Sequence, residues 1–432
     1  MASNPLRVGL IGAGYIADWH AQALARAKGA RLAAVCDLSR SAAAALAHAH
    51  GAQAFDSGDA LLASGSCDAV HVLTPPQLHR DIAVQCLDGG LHALVEKPFA
   101  LDAAQCRDIA QAASRAGRIA AVNHNFLALP AYARLKREIA DGALGPVDVA
   151  EINWRFPLPP LRSGPFGLWM LREPRNLLLE LGPHLFAFAT DLFGPLSDID
   201  LSVGRFIDLP GGARLPQSWH IRARGGATDV MMHLSLVEGI DDRSVRLRGV
   251  TGAAHLDFAA DTLIVERTNA SDIIVAPLRR ELSLAGKHLR EGAVNAWRQL
   301  SSLNRASPYA LGFNGAIDAF VRAVAGGAPD PRFTPAAAEA VMAGIETALE
   351  QLPQHDARPA ATAPTLPQEA PTALVIGGTG FIGRALVHAL VASGRRVRVC
   401  SRGRSNPFAE LGDAVEMTAG SLGSEDDLRK AM

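Results

Sequence analysis

The sequence is poor in cysteine, in long apolar runs and in net charge. Its five cysteines are odd in number, scattered and without CxxC spacing. They predict reduced thiols in a cytoplasmic chain, and no metal site. No apolar run is long enough to span a bilayer, residues 1–7 lack the features of a signal peptide, and the net charge is only −1. We therefore expect neither a membrane nor a nucleic-acid partner.

Lysine is also scarce, because only five of the 42 basic residues are lysines. Arginine keeps its proton in proteins, whereas a desolvated lysine can lose it. Lys97 stands out, since it follows the apolar run 93–95 and Glu96 and precedes Pro98. This stretch predicts a buried strand whose carboxyl end delivers two ionisable groups to a crevice, where open α/β sheets bind ligands.

A glycine-rich turn follows the first predicted strand, Leu6–Ile11, and opens a helix. The pattern is G-x-G-x-x-A, in which the first glycine permits a tight turn and the second lets backbone N–H groups approach a pyrophosphate. The final alanine allows close helix–strand packing, and the helix N-terminus favours phosphate charge. The residues predicted to bind a dinucleotide here are Gly12, Gly14, Tyr15, Ile16 and Ala17.

An acidic residue completes this fingerprint at the expected distance. The segment 32–36 reads as the second strand and ends at Asp37, twenty residues after Ala17. Asp37 is expected to accept hydrogen bonds from ribose hydroxyls and to repel a 2′-phosphate, which favours NAD. Arg40 lies three residues further on and leaves NADP open.

Strands and helices alternate up to about residue 123, which predicts a parallel Rossmann sheet over residues 1–123. From 124 to 352 the pattern changes to alternating strand-like segments with turn glycines, and we expect an α+β domain with a large, open-faced, mostly antiparallel sheet. Helices are predicted over 131–139 and 176–193, along the stripe from Phe313 to Val324, and from Thr334 to Leu349. The predicted strands of this domain are 147–156, 199–206, 218–223, 229–236, 244–248, 253–258 and 262–266.

Residues 353–371 hold five prolines and predict a semi-extended linker. A second strand and glycine-rich turn follow, and we expect an incomplete second Rossmann domain over 372–432 because some 60 residues cannot complete such a sheet. Arg402 stands where the first domain has Asp37, so this module is expected to accept NADP. Its predicted nucleotide-binding residues are Gly377, Gly380, Phe381, Ile382, Gly383 and Arg402.

With these motifs placed, residues 5 to about 350 resemble the glucose–fructose oxidoreductase/inositol dehydrogenase (Gfo/Idh/MocA) family. The resemblance rests on the first glycine turn, on Thr74-Pro75-Pro76-x-x-His79, on Glu96-Lys97-Pro98 and on Glu180-x-Gly182-x-His184. It implies NAD(P)-dependent oxidation or reduction of a sugar, cyclitol or nucleotide-sugar hydroxyl, and a homo-oligomer formed through the open-faced sheet. The residues after 372 resemble the start of an extended short-chain dehydrogenase of the epimerase/dehydratase type.

The resemblance assigns the family's catalytic lysine and histidine to Lys97 and His184. Lys97 is expected to orient the reacting hydroxyl with support from Glu96, and His184 to act as acid/base. Two departures bear on the substrate pocket: Glu180 replaces an aspartate, and Asn176-Leu177-Leu178 replace a glycine cluster. In many members the bond before the motif's proline is cis. The other residues assigned to cofactor or substrate are Thr74, Pro75, His79, Glu96, Lys97 and Asn125, and Trp169, Arg172 and Glu180.

Other interpretations stay open at this point. His79 fits a structural role as well as a catalytic one, and His184 could be a core histidine bonded to a backbone carbonyl. The arginines that precede the histidine helix suit an anionic substrate but also fit a solvated surface. The chain as a whole could be part of a bifunctional nucleotide-sugar enzyme, or a regulator that binds NAD(P) without turnover.

Overall fold

Short apolar strands in residues 6–122 form one parallel sheet, because each is followed by a helix that returns the chain to the same edge. The strands, in chain order, are β1 Leu6–Ile11, β2 Ala30–Cys36, β3 Gln53–Phe55, β4 Ala69–Val72, β5 His92–Val95 and β6 Ala120–Val122. The helices are α1 Tyr15–Leu24, α2 Arg40–His50, α3 Gly58–Ala63, α4 His79–Asp88 and α5 Ala103–Ala116.

The sheet order is β3-β2-β1-β4-β5-β6. This is the doubly wound Rossmann order, in which the strand order reverses between β1 and β4. Ligands in such sheets bind at the carboxyl ends of the strands beside that reversal.

The structure is a computed structural model, and it describes residues 4–158, 161, 168–209, 213–268, 275–303, 305–353, 371–401, 406–420, 427, 429 and 431–432.

A second, mixed sheet has the order β15-β14-β13-β7-β12-β11-β8, with only β7 and β12 parallel. Its strands are β7 Val147–Arg155, β8 Leu196–Val203, β11 Ser218–Gly225, β12 Thr228–Ser235, β13 Asp242–Gly249, β14 Gly252–Asp257 and β15 Thr262–Arg267. Two short strands, β9 Phe206–Asp208 and β10 Arg214–Pro216, pair separately. The predicted strand 199–206 is therefore wrong at its end, since Phe206 belongs to β9.

One face of the mixed sheet is buried and the other is open. Along β11, Trp219, Ile221 and Ala223 are buried while His220 and Arg222 between them are exposed. This period of two is typical of a strand with one solvated face. The parallel first sheet and this open-faced, mostly antiparallel sheet confirm the predicted fold class.

The helices of this region include two that the sequence did not predict. They are α6 Pro130–Ala140, α7 Trp169–Arg172, α8 Pro174–Phe193, α9 Val275–Ser301, α10 Pro308–Val324 and α11 Pro335–Leu349. Of these, the short α7 and the long α9 were missed. Helix α8 packs on the buried face of the mixed sheet, whereas α10 packs against α1 and α11 against α5, so the chain returns to the first sheet. None of the helices within the described ranges is both long and apolar enough to cross a membrane.

The C-terminal segment forms a three-stranded parallel sheet of order β16-β17-β18. Its elements are β16 Ala373–Ile376, α12 Phe381–Ala392, β17 Val397–Ser401 and β18 Val415–Ala419. Valines from the strands and the helix, with Phe408, form a small core of their own. This agrees with the predicted second Rossmann unit.

The chain divides into two compact units. The first takes in the described residues of 1–158, 173–207 and 216–353, and the second those of 159–172, 208–215 and 354–432. The predicted boundary near residue 123 therefore lies within one unit, and the domain limits stay predictions. Most of the predicted linker, 354–370, lies outside the described residues.

Candidate active site

The first glycine turn has the backbone geometry that its sequence predicts. Gly12 has a φ of +104°, and a Cβ at this position would lie 2.8 Å from the Leu73 carbonyl oxygen. Only glycine fits both constraints. Gly14 is the N-cap of α1 and provides no side-chain cap, and a Cβ there would meet nothing within 4 Å. The N-terminus of α1 is therefore open on the side where a pyrophosphate would approach.

Asp37 lies at the end of β2 and is joined to this turn. Its carboxylate accepts hydrogen bonds from the backbone N–H of Ala13 at 2.7 Å and of Ser39 at 2.7 Å. The side chain thus holds the glycine turn against β2 while staying partly exposed. A carboxylate has about four lone-pair sites, so these two bonds leave acceptor capacity for ribose hydroxyls.

The residues present fit a bound NAD. The hydroxyl of Thr74, at the carboxyl end of β4, is buried and has no hydrogen-bond partner among the described residues. A buried hydroxyl without a partner is costly unless a ligand or water pairs with it. Gly12, Gly14 and the N-terminus of α1 would hold the phosphates, Asp37 the ribose, and Thr74 a polar group of the cofactor.

Lys97 reaches the histidine helix from the end of β5. The strand is buried at Ala93, Leu94 and Val95, so the first residues beyond it emerge at the carboxyl edge. The Lys97–Pro98 peptide bond is cis. The Lys97 ammonium donates to the Glu180 carboxylate at 2.5 Å and to the Glu180 backbone carbonyl at 3.0 Å.

Helix α8 presents Glu180 and His184 on one face, because they are four residues apart. Pro183 lies between them within the helix. Proline has no N–H, so the helical bond to the Leu179 carbonyl is missing at this turn. The next carbonyl, that of Glu180, accepts the second bond from Lys97. Both a carboxylate and a backbone dipole of α8 therefore hold the ammonium.

Glu96 supports Lys97 through its charge and through the main chain, whereas the ammonium itself pairs with Glu180. The Glu96 side chain is buried and accepts from His20 Nε2 at 2.8 Å and from the Asn123 amide. Its second oxygen accepts the backbone N–H of Lys97 at 3.1 Å. Glu96 therefore fixes the main chain of Lys97, and Glu180 fixes its side chain.

The network around Glu96 continues to a second buried histidine. His20 Nδ1 lies 2.9 Å from His71 Nδ1, and both rings are fully buried. Burial and then the His20 charge lower the pKa of His71 well below its usual range, so that ring is neutral. Burial alone would raise the pKa of Glu96, but the bond from His20 and the nearby Lys97 charge lower it, so the carboxylate is ionised. The sequence did not single out His20 or His71.

His184 is enclosed by aromatic rings. It stacks on Trp154 with ring centroids 4.7 Å apart and an interplanar angle of 7°, and it meets Phe126 edge-on. Burial, followed by the charge of Lys97, lowers the pKa of His184 well below its usual value. The imidazole is therefore neutral near pH 7 and can accept a proton.

His79 has a structural position. Nδ1 lies 2.8 Å from the Pro98 carbonyl and Nε2 lies 2.8 Å from the Thr74 carbonyl. Burial lowers the pKa of His79, and the hydrogen bonds to the two carbonyls oppose this shift. His79 thus joins the loops after β4 and β5, which favours a structural role over a catalytic one.

Pro75 and Asn125, which were also predicted to contact the cofactor, lie in different surroundings. Pro75 is exposed just before α4, and Asn125 is buried at the start of a short 3-10 helix, where its carbonyl lies against Gly312 of α10. Tyr309, which the sequence did not indicate, contacts Trp19 edge-on at 4.9 Å. Burial, and then the charge of Glu96, raises the pKa of Tyr309.

Trp169 and Arg172 form the short helix α7, which belongs to the second compact unit. Each makes an interaction within the protein. They stay predictions as substrate residues. Glu180, by contrast, lies directly at the candidate site through its bond with Lys97.

The C-terminal glycine turn has a backbone geometry similar to that of the first glycine turn. Gly377 has a φ of +71°, and a Cβ at Gly383 would lie 2.3 Å from the Gly377 carbonyl oxygen, so the turn closes tightly on α12. Gly380 is the N-cap of α12 without a side-chain cap, and Ile382 is exposed. Phe381 begins that helix. Arg402 lies outside the described residues.

Comparison with known proteins finds a family match over the segment that contains each glycine turn. Residues 6–124 match the Gfo/Idh/MocA family, described as an oxidoreductase family with an NAD-binding Rossmann fold. The dTDP-3,4-didehydro-2,6-dideoxy-alpha-D-glucose 3-reductase of Streptomyces violaceoruber is 30% identical over 267 residues, which are 58% of this chain and 74% of the relative. The chain belongs to the Gfo/Idh/MocA family. Residues 373–432 match the NAD dependent epimerase/dehydratase family.

Other Gfo/Idh/MocA relatives align over shorter stretches. The D-glucoside 3-dehydrogenase of Escherichia coli is 36% identical over 152 residues, covering 34% of this chain and 43% of the relative. The chain spans about half the length of the first curated relatives that it matches. A structure of WlbA from Bordetella pertussis with NADH and UDP-GlcNAcA shares the fold at a TM-score of 0.64 and 18% identity, covering 82% of this chain and 100% of WlbA.

Proposed function

We propose that the chain is an NAD(P)-dependent oxidoreductase that transfers a hydride between the nicotinamide and a secondary hydroxyl of a sugar, cyclitol or nucleotide-sugar. The observation that carries this proposal is the bond between Lys97 and Glu180 at 2.5 Å, one helical turn from His184. It supports a single site in which an amine, a carboxylate and an imidazole meet at the carboxyl edge of the Rossmann sheet.

Each side chain has a role in this proposal. Bound NAD supplies the hydride acceptor or donor. The Lys97 ammonium donates a hydrogen bond to the reacting oxygen and stabilises its developing negative charge. The neutral imidazole of His184 takes the hydroxyl proton in the oxidative direction. Glu180 holds the ammonium until the substrate oxygen replaces one of its bonds.

The geometry favours NAD over NADP in the first domain. The Asp37 carboxylate lies beside the glycine turn, where it would accept ribose hydroxyls and repel a 2′-phosphate. The relatives that act on glucosides, inositol or nucleotide-sugars support the substrate class. Trp169 and Arg172 are our candidates for its recognition.

Measuring the turnover of the Lys97→Met variant distinguishes the proposed enzyme from a regulator that binds NAD without catalysing a reaction. We expect NADH formation to fall about a thousandfold, because the variant loses the donor to the reacting oxygen. NAD binding measured by calorimetry should persist. The matched control is Lys28→Met, which removes an exposed lysine. The assay screens D-glucosides, myo-inositol and UDP-N-acetylglucosamine with NAD. Unchanged turnover in Lys97→Met would contradict the catalytic assignment, and absence of turnover in the wild type with every substrate would favour the regulator.

A second candidate function is specific to the C-terminal unit. Its glycine turn and its match to the epimerase/dehydratase family support an additional dinucleotide site, as in a bifunctional nucleotide-sugar enzyme. We propose NADP as its ligand, because Arg402 stands in the sequence where the first domain has Asp37. Calorimetric titration with NADP should give one site that Gly383→Ala removes while binding of NAD by the first domain is kept.

We also propose that the chain forms homo-oligomers through the open face of the mixed sheet. The open face of that sheet carries ion pairs within the chain, such as Arg222–Asp200 and Arg224–Asp229. Size-exclusion chromatography with light scattering would give the number of copies. A monomer at all concentrations would contradict this part of the proposal.

A further inference from the structure

Helix α9 is apolar on its outer side and polar on its inner side, the reverse of an ordinary surface helix. Its outer side carries leucine and tryptophan side chains that are largely exposed, with Leu289 at 75%, Trp297 at 74% and Leu300 at 74%. The helix has no fully buried residue. We define the outer stripe by its large exposed residues: Val275, Leu278, Leu282, Leu289, Trp297, Leu300 and, just beyond the helix, Leu303.

The inner side of α9 is fixed to the free edge of the mixed sheet by polar contacts. Lys287 donates to the Val265 carbonyl at 2.7 Å, and Glu291 accepts the Leu263 backbone N–H at 3.1 Å. These side chains pair with the backbone groups of β15, which is the last strand of the sheet. Covering an edge in this way prevents strand pairing with other chains. The inner side is thus committed to this chain, and the helix cannot turn its outer stripe inward without losing those bonds.

A salt bridge fixes the other end of the helix in the same orientation. Arg298 pairs with the buried carboxylate of Asp261 at 2.5 Å, and Arg134 pairs with Glu291 at 2.8 Å. Polar anchors on the inner side between Lys287 and Arg298 therefore hold this part of the apolar stripe toward solvent. An apolar surface that the fold itself keeps exposed indicates an interaction site.

The stripe is large enough for a stable contact. The helix has 27 residues, a length of about 40 Å at 1.5 Å per residue. Its large apolar side chains expose on the order of 800 Å², which matches what each partner buries in a standard interface and exceeds the patches usual on monomers.

The spacing of the stripe fits another helix. Val275, Leu282 and Leu289 lie at intervals of seven residues, and Leu278 lies at the alternate heptad position. Small residues at Ala285, Gly292 and Ala296 continue the two heptad positions and permit close approach. A seven-residue apolar repeat is the signature of helix pairing.

We propose that α9 is a self-association helix: the outer stripe packs against the same stripe of a second copy of this chain about a two-fold axis. In a two-fold contact one surface supplies both sides, so this chain already contains the helical apolar partner that the stripe needs. The proposal is independent of the catalytic assignment, since none of the stripe residues belongs to the candidate active site.

Sedimentation velocity over a concentration series tests this with a matched pair of variants. Leu282→Glu should raise the dissociation constant of association through the stripe at least a hundredfold, because it places two carboxylates in that contact, and it should leave association through the open face of the sheet unchanged. Ser283→Glu introduces the same charge one residue away, at an exposed position beside the stripe, and should change the dissociation constant less than threefold. Circular dichroism should show both variants folded, because neither side chain is buried.

Three results would overturn the proposal. The first is a monomeric wild type at all concentrations. The second is an oligomer whose number of copies and dissociation constant Leu282→Glu leaves unchanged, which would leave the open face of the sheet as the contact between copies. The third is a monomer that co-sediments with vesicles of phosphatidylglycerol and phosphatidylcholine, which would assign the stripe to a lipid surface.

Discussion

The molecule contains two glycine-rich turns of similar backbone design and different surroundings. In each, a strand ends in a glycine with positive φ and a helix begins at a glycine without a side-chain cap. At the first turn the carboxylate of Asp37 binds the backbone of Ala13. At the second, the hydroxyls of Thr379 and Ser401 lie 3.2 Å apart and Arg384 donates to the Thr379 carbonyl.

The larger difference lies beyond the turns. The first sheet continues to β5 and β6, whose ends place Lys97, Glu96 and Asn123 at the same edge. The described part of the C-terminal unit has three strands. A phosphate-binding turn is thus a module that recurs, whereas the groups proposed for chemistry require the strands that follow it. We therefore expect that some substitutions will abolish nucleotide binding and others will abolish turnover alone.

The largest expected effect comes from closing each turn separately. Gly12→Ala introduces a Cβ 2.8 Å from the Leu73 carbonyl at a φ of +104°, and we expect at least a hundredfold loss of NAD affinity by calorimetry. Gly383→Ala should remove binding at the second turn only. Gly14→Ala meets no protein atom within 4 Å, so a loss of NAD affinity in this variant would report contact with the ligand itself. Retained NAD binding in Gly12→Ala would contradict the assignment.

The next largest effect concerns the support of Lys97. Glu96→Gln weakens the bonds to His20 and to the Lys97 backbone while keeping the size of the side chain. We expect kcat to fall about thirtyfold with KM changed less than threefold, because positioning of the amine is lost more than substrate binding. His20→Gln should behave similarly.

Two measurements would show whether Glu96 acts only on stability. A purely structural role would lower the melting temperature and leave kcat of the folded enzyme unchanged. The pH dependence of kcat should also shift in Glu96→Gln, since a buried negative charge close to the Lys97 ammonium is removed. Glu151→Gln is a suitable control, because Glu151 is a half-buried glutamate in the mixed sheet.

A smaller effect is expected for the choice of cofactor at the two turns. Asp37→Ser removes the carboxylate that would accept ribose hydroxyls, and it gives the first turn the residue type that stands at Ser401, the end of β17. We expect NAD affinity to fall about tenfold and the preference for NAD over NADP to decrease by a similar factor. Asp56→Ser, at an exposed ion pair with Arg40, serves as the control. An unchanged preference would exclude Asp37 from ribose recognition.

The smallest expected effect is a change of the stability of the first compact unit with pH. Burial lowers the pKa of His124 to about 4, below the usual value near 6.5. The unfolded chain therefore binds a proton below pH 6.5 that the folded chain does not, so stability falls as the pH decreases. His124 should contribute about 1 kcal/mol of this loss between pH 6 and pH 5.

Denaturant unfolding of His124→Asn at the two pH values checks this contribution. The variant should lose about 1 kcal/mol less than the wild type over the same interval. His388→Asn is the control in the C-terminal unit, since His388 is about half exposed. Equal losses in wild type and His124→Asn would contradict the assigned direction of the pKa.

The parts of the fold that follow local rules could be predicted from the sequence. The first glycine turn, the strand that ends two residues before Lys97 and the helix from Ala103 to Ala116 each have a pattern within one segment. The Glu180–His184 spacing likewise placed both residues on one helix face.

The parts that depend on distant contacts could not be predicted. His20, His71, Glu96 and Asn123 come from four segments, and no local pattern indicates that they meet. The pairing of the Lys97 ammonium with Glu180 could not be predicted for the same reason, since the two residues are 83 positions apart. Helix α9 was missed although Val275, Leu282 and Leu289 recur at a helical spacing in the sequence; that this stripe faces solvent is visible only in the structure.

A crystal structure of the whole chain with NAD would test the central claim most directly. The account predicts density for the dinucleotide on the turn from Gly12 to Ala17, with the nicotinamide facing Lys97 and His184. The ring and the amine should leave room for a carbinol group whose reacting atoms lie about 3–3.5 Å from each. A nicotinamide directed away from Lys97, or NAD found only on the turn from Gly377 to Gly383, would contradict it.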